Sequence, residues 1–367
     1  MVRGADLAWF AMVMATGIVS AALWLAGWPG PARVLLAAAA ACFVVIAVAV
    51  GWRAVRHVAS LAAELGRPQQ VFTAFAAVAA WGVLGGGLVG ESRPGGAVQI
   101  AAAVLAGVAL VLWLALTCWV ATVLRGWSRA GRPLTGVNGS GYLWTVGTQS
   151  LAIAAAFLHT AGVLGARPAA AAAIGAWSVG LVLYLAIMVL VLARLLLAGL
   201  RPADATAPYW VAMGAASISA FAAARTAPLA GIAIPTASPV IIDGGVAAWA
   251  LATCLVPVLA AFSIARLLPA RLGYATGGWV FVFPLGMYAT AGLTLGAVAG
   301  VPLIHHVGAV AVWPAVAAWA MTAAAMGSAA LTRRSRAAGR ECVTDRQGVL
   351  VREGAAPCGG ETAQVAR

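Results

Sequence analysis

The sequence predicts an all-α polytopic membrane protein, and three observations carry that prediction. Of its 367 residues 63% are hydrophobic and only 8% are charged, where a soluble domain carries about a quarter. Mean hydropathy is +1.00. Apolar stretches of about twenty residues recur along the chain, each long enough to cross a bilayer core of about 30 Å. Their continuity excludes a transmembrane β-barrel, whose strands are short and alternating.

Ten stretches are expected as spans, at 7–27, 32–52, 71–90, 98–124, 142–164, 169–197, 208–224, 245–268, 277–299 and 307–331. The first follows a short segment with Arg3, as a signal peptide would. Its length and the spans behind it make it a retained helix. Residues 1–331 therefore read as one transmembrane domain, and 332–367 as an arginine-rich, partly disordered tail.

Charge sets the expected topology. The net charge is +13, and all 22 basic residues are arginine. Arg3, Arg53, Arg56, Arg67, Arg125, Arg129, Arg132, Arg194, Arg201, Arg266 and Arg271 fall on one face together with seven tail arginines. Arg33, Arg93, Arg167 and Arg225 fall on the other, a split of eleven to four without the tail. The positive-inside rule then makes both termini cytoplasmic, in the plasma or inner membrane. A pI near 11.1 does not imply nucleic acid, because the arginines lie between spans rather than on a soluble face.

Several chemistries are excluded. Cys42, Cys118 and Cys254 sit inside spans and Cys342 and Cys358 in the tail, without metal-ligand spacing, so no metal or cofactor is expected. His57, His159, His305 and His306 provide no mid-depth pair for haem. Ser150 and His159 lie nine residues apart on one helix, too far for a nucleophilic dyad, and no enzyme is expected.

Odd and even spans differ. The odd ones carry small and hydroxyl residues: Thr16, Gly17 and Ser20; Thr73 and Gly85 to Gly87; Thr145, Gly147, Thr148, Gln149 and Ser150; Gly214, Ser217 and Ser219; Gly286, Thr290 and Thr294. Spans two and six are rich in Leu, Val and Ala. Small and hydroxyl residues suit close helix contact, so the pattern reads as five hairpins with inner odd and outer even helices. Helical spacing puts Thr145, Gln149, Ala152, Ala156 and His159 on one face, and Phe283, Met287, Thr290 and Thr294 on another. Thr16 pairs with Ser20, and Thr73 aligns with Ala77, Ala80 and Gly87. Converging, these faces would line a narrow conduit. All nine acidic residues lie at span ends, in loops or in the tail, so the conduit lacks the carboxylate that cation carriers and proton pumps keep within the membrane. Hydroxyl dipoles inside and arginines at the mouths favour anions.

Four segments carry a family resemblance. Phe10 to Ser20, Leu143 to Ser150, Pro208 to Ala215 and Trp279 to Thr290 resemble helices one, five, seven and nine of the tellurite-resistance/dicarboxylate transporter family, which includes malate permeases, sulfite pumps and slow-type anion channels. The resemblance covers residues 1–331. It implies ten helices in five hairpins around a central pore, a homotrimer, and a ninth-helix phenylalanine that plugs each pore. That residue is Phe283, beside the helix-bending Pro284, with Phe281 the alternative if the register differs. The expected pore lining is Thr16, Ser20, Thr73, Thr145, Gln149, Ser217, Met287, Thr290 and Thr294. The expected cargo is a small anion such as malate, sulfite, chloride or nitrate. Proton-linked dicarboxylate transport and a tellurite-resistance permease are the alternatives. One departure stands out: several family members kink their odd helices with proline, and here spans three and five have none.

Overall fold

The computed structural model describes residues 7–91, 95–129, 138–198, 209–267 and 278–349. Arg3, Arg93, Arg132, Arg201, Arg271 and the tail beyond residue 349 lie outside the described residues. The helices run α1 (Phe10–Leu25), α2 (Pro29–Arg56), α3 (Val58–Leu65), α4 (Pro68–Thr73), α5 (Phe75–Glu91), α6 (Gly96–Arg129), α7 (Tyr142–Thr160), α8 (Ala166–Ala198), α9 (Trp210–Ala233), α10 (Ala237–Leu267), α11 (Gly278–Ala299) and α12 (Pro302–Val349). The chain divides into two units, 1–322 and 323–367. Of the second, the described part is the C-terminal stretch of α12, so the expected tail is helical as far as Val349.

Eight membrane-length apolar helical segments occur among the described residues. Helices α7 and α9 are not among them, because hydroxyls, Gln149 and Arg225 lower their hydropathy. These two are also heavily enclosed: 13 of 19 residues in α7 and 17 of 24 in α9 are buried. A helix shielded from lipid by its neighbours can carry polar groups that a lipid-facing one cannot.

The packing explains which helices are which. Each of α1, α5, α7, α9 and α11 packs against the next, and α11 returns to α1, closing a ring of five. Outside it, α2 lies on α1, α6 on α5, α8 on α7 and α9, and α10 on α9. The Trp319 indole N–H of α12 donates to Thr16 Oγ1 over 3.1 Å, which ties that helix to α1. In the most apolar window of α1 and of α11, 72% of residues are buried, whereas α2, α6 and α12 reach 17%. Val44, Val45, Val111, Val182 and Val189 point outward from the outer helices, where lipid would cover them.

The connections repeat. Helices α1, α7 and α11 each end on a glycine with positive φ, at Gly27, Gly162 and Gly300. At the first two, the next residue's N–H reaches back five residues, from Trp28 to Leu23 and from Val163 to Leu158, which satisfies end carbonyls in a tight reversal.

Helix α10 starts earlier than expected, at Ala237, and α12 ends later, at Val349; two further boundary differences bear on the site. The third span is broken at Ala74, so Thr73 stands at the end of the separate helix α4, and its hydroxyl donates to Gln69 O over 2.9 Å. Helix α9 continues past 224 to Ala233, through Pro228. Arg225 therefore lies within an inner helix rather than in a connection. Arginine followed by proline reads as a helix end, yet the ring's packing carries the helix through.

Candidate functional site

A cavity of about 280 Å³ lies within the ring, and all five inner helices form its wall. Helix α1 contributes Gly17, Ser20, Ala21 and Trp24, and α5 contributes Gly82, Val83 and Gly86. Helix α7 adds Ser150, Ile153 and Phe157, α9 adds Ile218, Phe221 and Arg225, and α11 adds Met287, Thr290 and Thr294. Within each helix these residues recur at three- and four-residue steps, so one stripe of each helix faces the space. Glycines make room for it: a Cβ at Gly86 would stand 2.5 Å from the Phe157 ring. The volume is many times the ~30 Å³ that one water occupies in the liquid.

The cavity runs from the middle of each inner helix toward its C-terminal end. One turn toward the N-termini, the positions on the same stripes are Val13, Val78, Val146, Gly214 and Phe283. The four side chains here are all buried, and Phe283, the largest, is 1% exposed. Its ring is seated on Gly214, where a Cβ would stand 3.2 Å from Phe283 Cε1 and 3.1 Å from Pro284 Cγ. Met14, Phe75 and Met213 are likewise fully enclosed. This half of the ring is packed solid, and the other half is open.

The electrostatics of the wall are sparse. Among the described residues the wall carries no aspartate or glutamate, and Arg225 is the charged one. Its four hydroxyls all donate to backbone carbonyls: Ser20 to Ala32 over 2.7 Å, Ser150 to Val146 over 2.8 Å, Thr290 to Gly286 over 2.8 Å, and Thr294 to Thr290 over 2.9 Å. Carbonyls only accept, so each hydroxyl proton is already committed.

Comparison with known proteins gives the chain a family. The model of the voltage-dependent anion channel family matches residues 5–326. The chain belongs to the voltage-dependent anion channel family. Its members are anion channels and transporters, not enzymes. Two uncharacterized membrane proteins of Mycobacterium tuberculosis, from strains CDC 1551 and H37Rv, are each 43% identical to it over 138 residues. The match covers 36% of this chain and 70% of each relative.

Against this anion-channel ring, the residues singled out in the sequence divide into two groups. Ser20, Met287, Thr290 and Thr294 meet at the cavity, and Phe283 lies one turn below it. The others face elsewhere. Gln149 points between α8 and α9, where its Nε2 donates to Ser219 Oγ at 3.1 Å and Trp177 O at 3.3 Å. Ala156, on the same face of α7, packs on Ala169, Ala170 and Ala173 of α8. Thr145 is fully buried with no partner for its hydroxyl. Thr16 accepts from Trp319, Ser217 donates to Met213 O over 2.9 Å, and Thr73 sits on α4. Phe281 packs its ring 5.6 Å from that of Trp210.

Several wall residues were not in the expected lining, Ser150, Ile153, Phe157 and Arg225 among them. Ser150, Ile153 and Phe157 form the stripe of α7 adjacent to the one marked by Thr145 and Gln149, and their spacing alone could have named them. Arg225 was concealed by Pro228, which reads as the end of the helix.

Proposed function

We propose that this protein conducts small anions across the membrane through the ring of five inner helices, with Phe283 as the obstruction in the path. The observation that carries this reading is the cavity walled by all five inner helices and, among the described residues, free of carboxylates. An anion entering it meets no fixed negative charge, whereas a cation finds no counter-charge. Continuing along the same stripes, it meets Phe283, the bulkiest side chain of the next turn. Seated on Gly214 rather than threaded between neighbouring side chains, the ring can swing if the local helix opens at Pro284, whose missing N–H weakens the ladder there. Ser20, Met287, Thr290 and Thr294 form the path above it.

In this reading all ten long helices cross the bilayer, both termini are cytoplasmic, and the cavity opens toward the outer side. The arginine bias supports that orientation, and the family resemblance supports a homotrimer. The test is a reversal-potential measurement on purified protein in planar bilayers under a salt gradient. Anion conduction gives a potential near that of the anion; a potential near that of the cation would overturn the proposal. Orientation is checked separately. Cys358 should react with a membrane-impermeant maleimide only after permeabilisation, and labelling of intact cells would reverse the topology.

A further inference from the structure

Arg225 has no assigned partner, and its surroundings give it a task. It stands on α9 eight residues before Ala233, about 12 Å inside the helix end. Its Nε is buried without a hydrogen-bond partner, and among the described residues no carboxylate pairs with it. Its Cζ lies 4.5 Å from the centroid of Phe157, itself a wall residue. A cation placed inside an apolar bundle is costly, and such groups are normally paired or face a water-filled cavity. Here the second condition holds. The wall hydroxyls already donate to backbone carbonyls, and among the described wall residues the guanidinium is the group that joins N–H donors to positive charge.

Resting on the anion-conduction reading above, we propose that the cavity is an anion-binding site in which Arg225 is the fixed counter-charge and Phe157 its support, and that its ligand is a single small monoanion with a planar oxygen face, of the nitrate or monocarboxylate type. The guanidinium fork matches two oxygens of such a face, a geometry an ammonium cannot offer. Stacking on Phe157 fixes the plane of the fork and holds its remaining edge toward the open space. One guanidinium neutralises one charge. A dianion would keep an unmatched charge, since no second cation lines the wall among the described residues, so monoanions are preferred over dicarboxylates.

The test separates binding from conduction. Thermal unfolding of the purified full-length protein is followed as nitrate replaces gluconate at constant ionic strength, since a ligand of the native state raises its melting temperature. Wild-type protein should be stabilised by nitrate in a saturable way, and less by malate at equal concentration. Arg225→Gln should lose the nitrate effect, while Arg225→Lys keeps the charge but binds about tenfold more weakly, having lost the fork. In gluconate, Arg225→Gln should melt no lower than wild type, because it removes an unpaired buried charge; a large drop would mark Arg225 as a structural residue and overturn the proposal. So would nitrate stabilisation that survives in Arg225→Gln, or its absence in wild type. Malate stabilising more than nitrate would overturn the single-charge ligand. Flux is read in parallel. Nitrate flux indifferent to Arg225 would sink the site and leave the conduit standing, whereas Arg225-dependent binding without flux in any variant would do the reverse.

Discussion

The two halves of the inner-helix ring make opposite use of similar residues. In the C-terminal half, Gly17, Gly82 and Gly86 face the interior and leave a cavity of about 280 Å³. In the N-terminal half, Met14, Phe75, Met213 and Phe283 fill it. Polarity does not separate the halves, since hydroxyls occur in both, Thr145 in the packed half and Thr290 and Thr294 in the open one. Side-chain volume does. The open half is thus set by where the small residues fall along each stripe, and among its described wall residues Arg225 is the charged one.

That comparison can be broken from either end. The largest effect is expected from filling the open half. Ala21 lines the cavity, so Ala21→Phe should abolish most anion flux while leaving the melting temperature nearly unchanged, because the ring occupies existing space. Flux measured in proteoliposomes at equal protein content decides it, and undiminished flux would mean that anions bypass the cavity. A smaller effect is expected in the packed half. Gly214→Val forces Phe283 from its seat, costing about 1–3 kcal/mol of stability by overpacking. Flux should rise, though less than on removal of the ring; a fall would show that the phenylalanine is held in the path by something other than Gly214. The smallest effect is expected outside both halves. Gln149→Leu gives up hydrogen bonds to Trp177 and Ser219, costing about 1 kcal/mol, and should leave flux per folded protein unchanged. A changed anion flux in that variant would return Gln149 to the conduit.

The fold was legible in the sequence to the extent that burial is written in composition. Glycine and hydroxyl residues marked α1, α5, α7, α9 and α11 as inner because a helix enclosed by helices needs small contacts, and leucine and valine marked the outer helices because lipid covers them. Rotation about each helix axis was less legible. Thr145 and Gln149 carry polar groups on one face of α7, but polar groups in a bundle find partners between helices as readily as in a conduit: Gln149 turned toward α8 and α9, and Thr145 is buried off the cavity wall. On α11, Met287, Thr290 and Thr294 share one stripe at helical spacing, and the structure sets all three on the cavity wall. Arg225 was hidden by local grammar: an arginine three residues before a proline resembles a helix end, and only the closed ring of neighbours shows that α9 continues.

The central claim is that Phe283 obstructs the path rather than merely filling a core. Phe283→Ala and Phe281→Ala, measured side by side as anion flux normalised to assembled protein, test it most directly. Truncating a packing residue costs about 3–5 kcal/mol and lowers function. Truncating an obstruction raises it. The account predicts a several-fold rise in flux for Phe283→Ala and none for Phe281→Ala, whose ring rests on Trp210. Loss of flux in a well-assembled Phe283→Ala protein would contradict it.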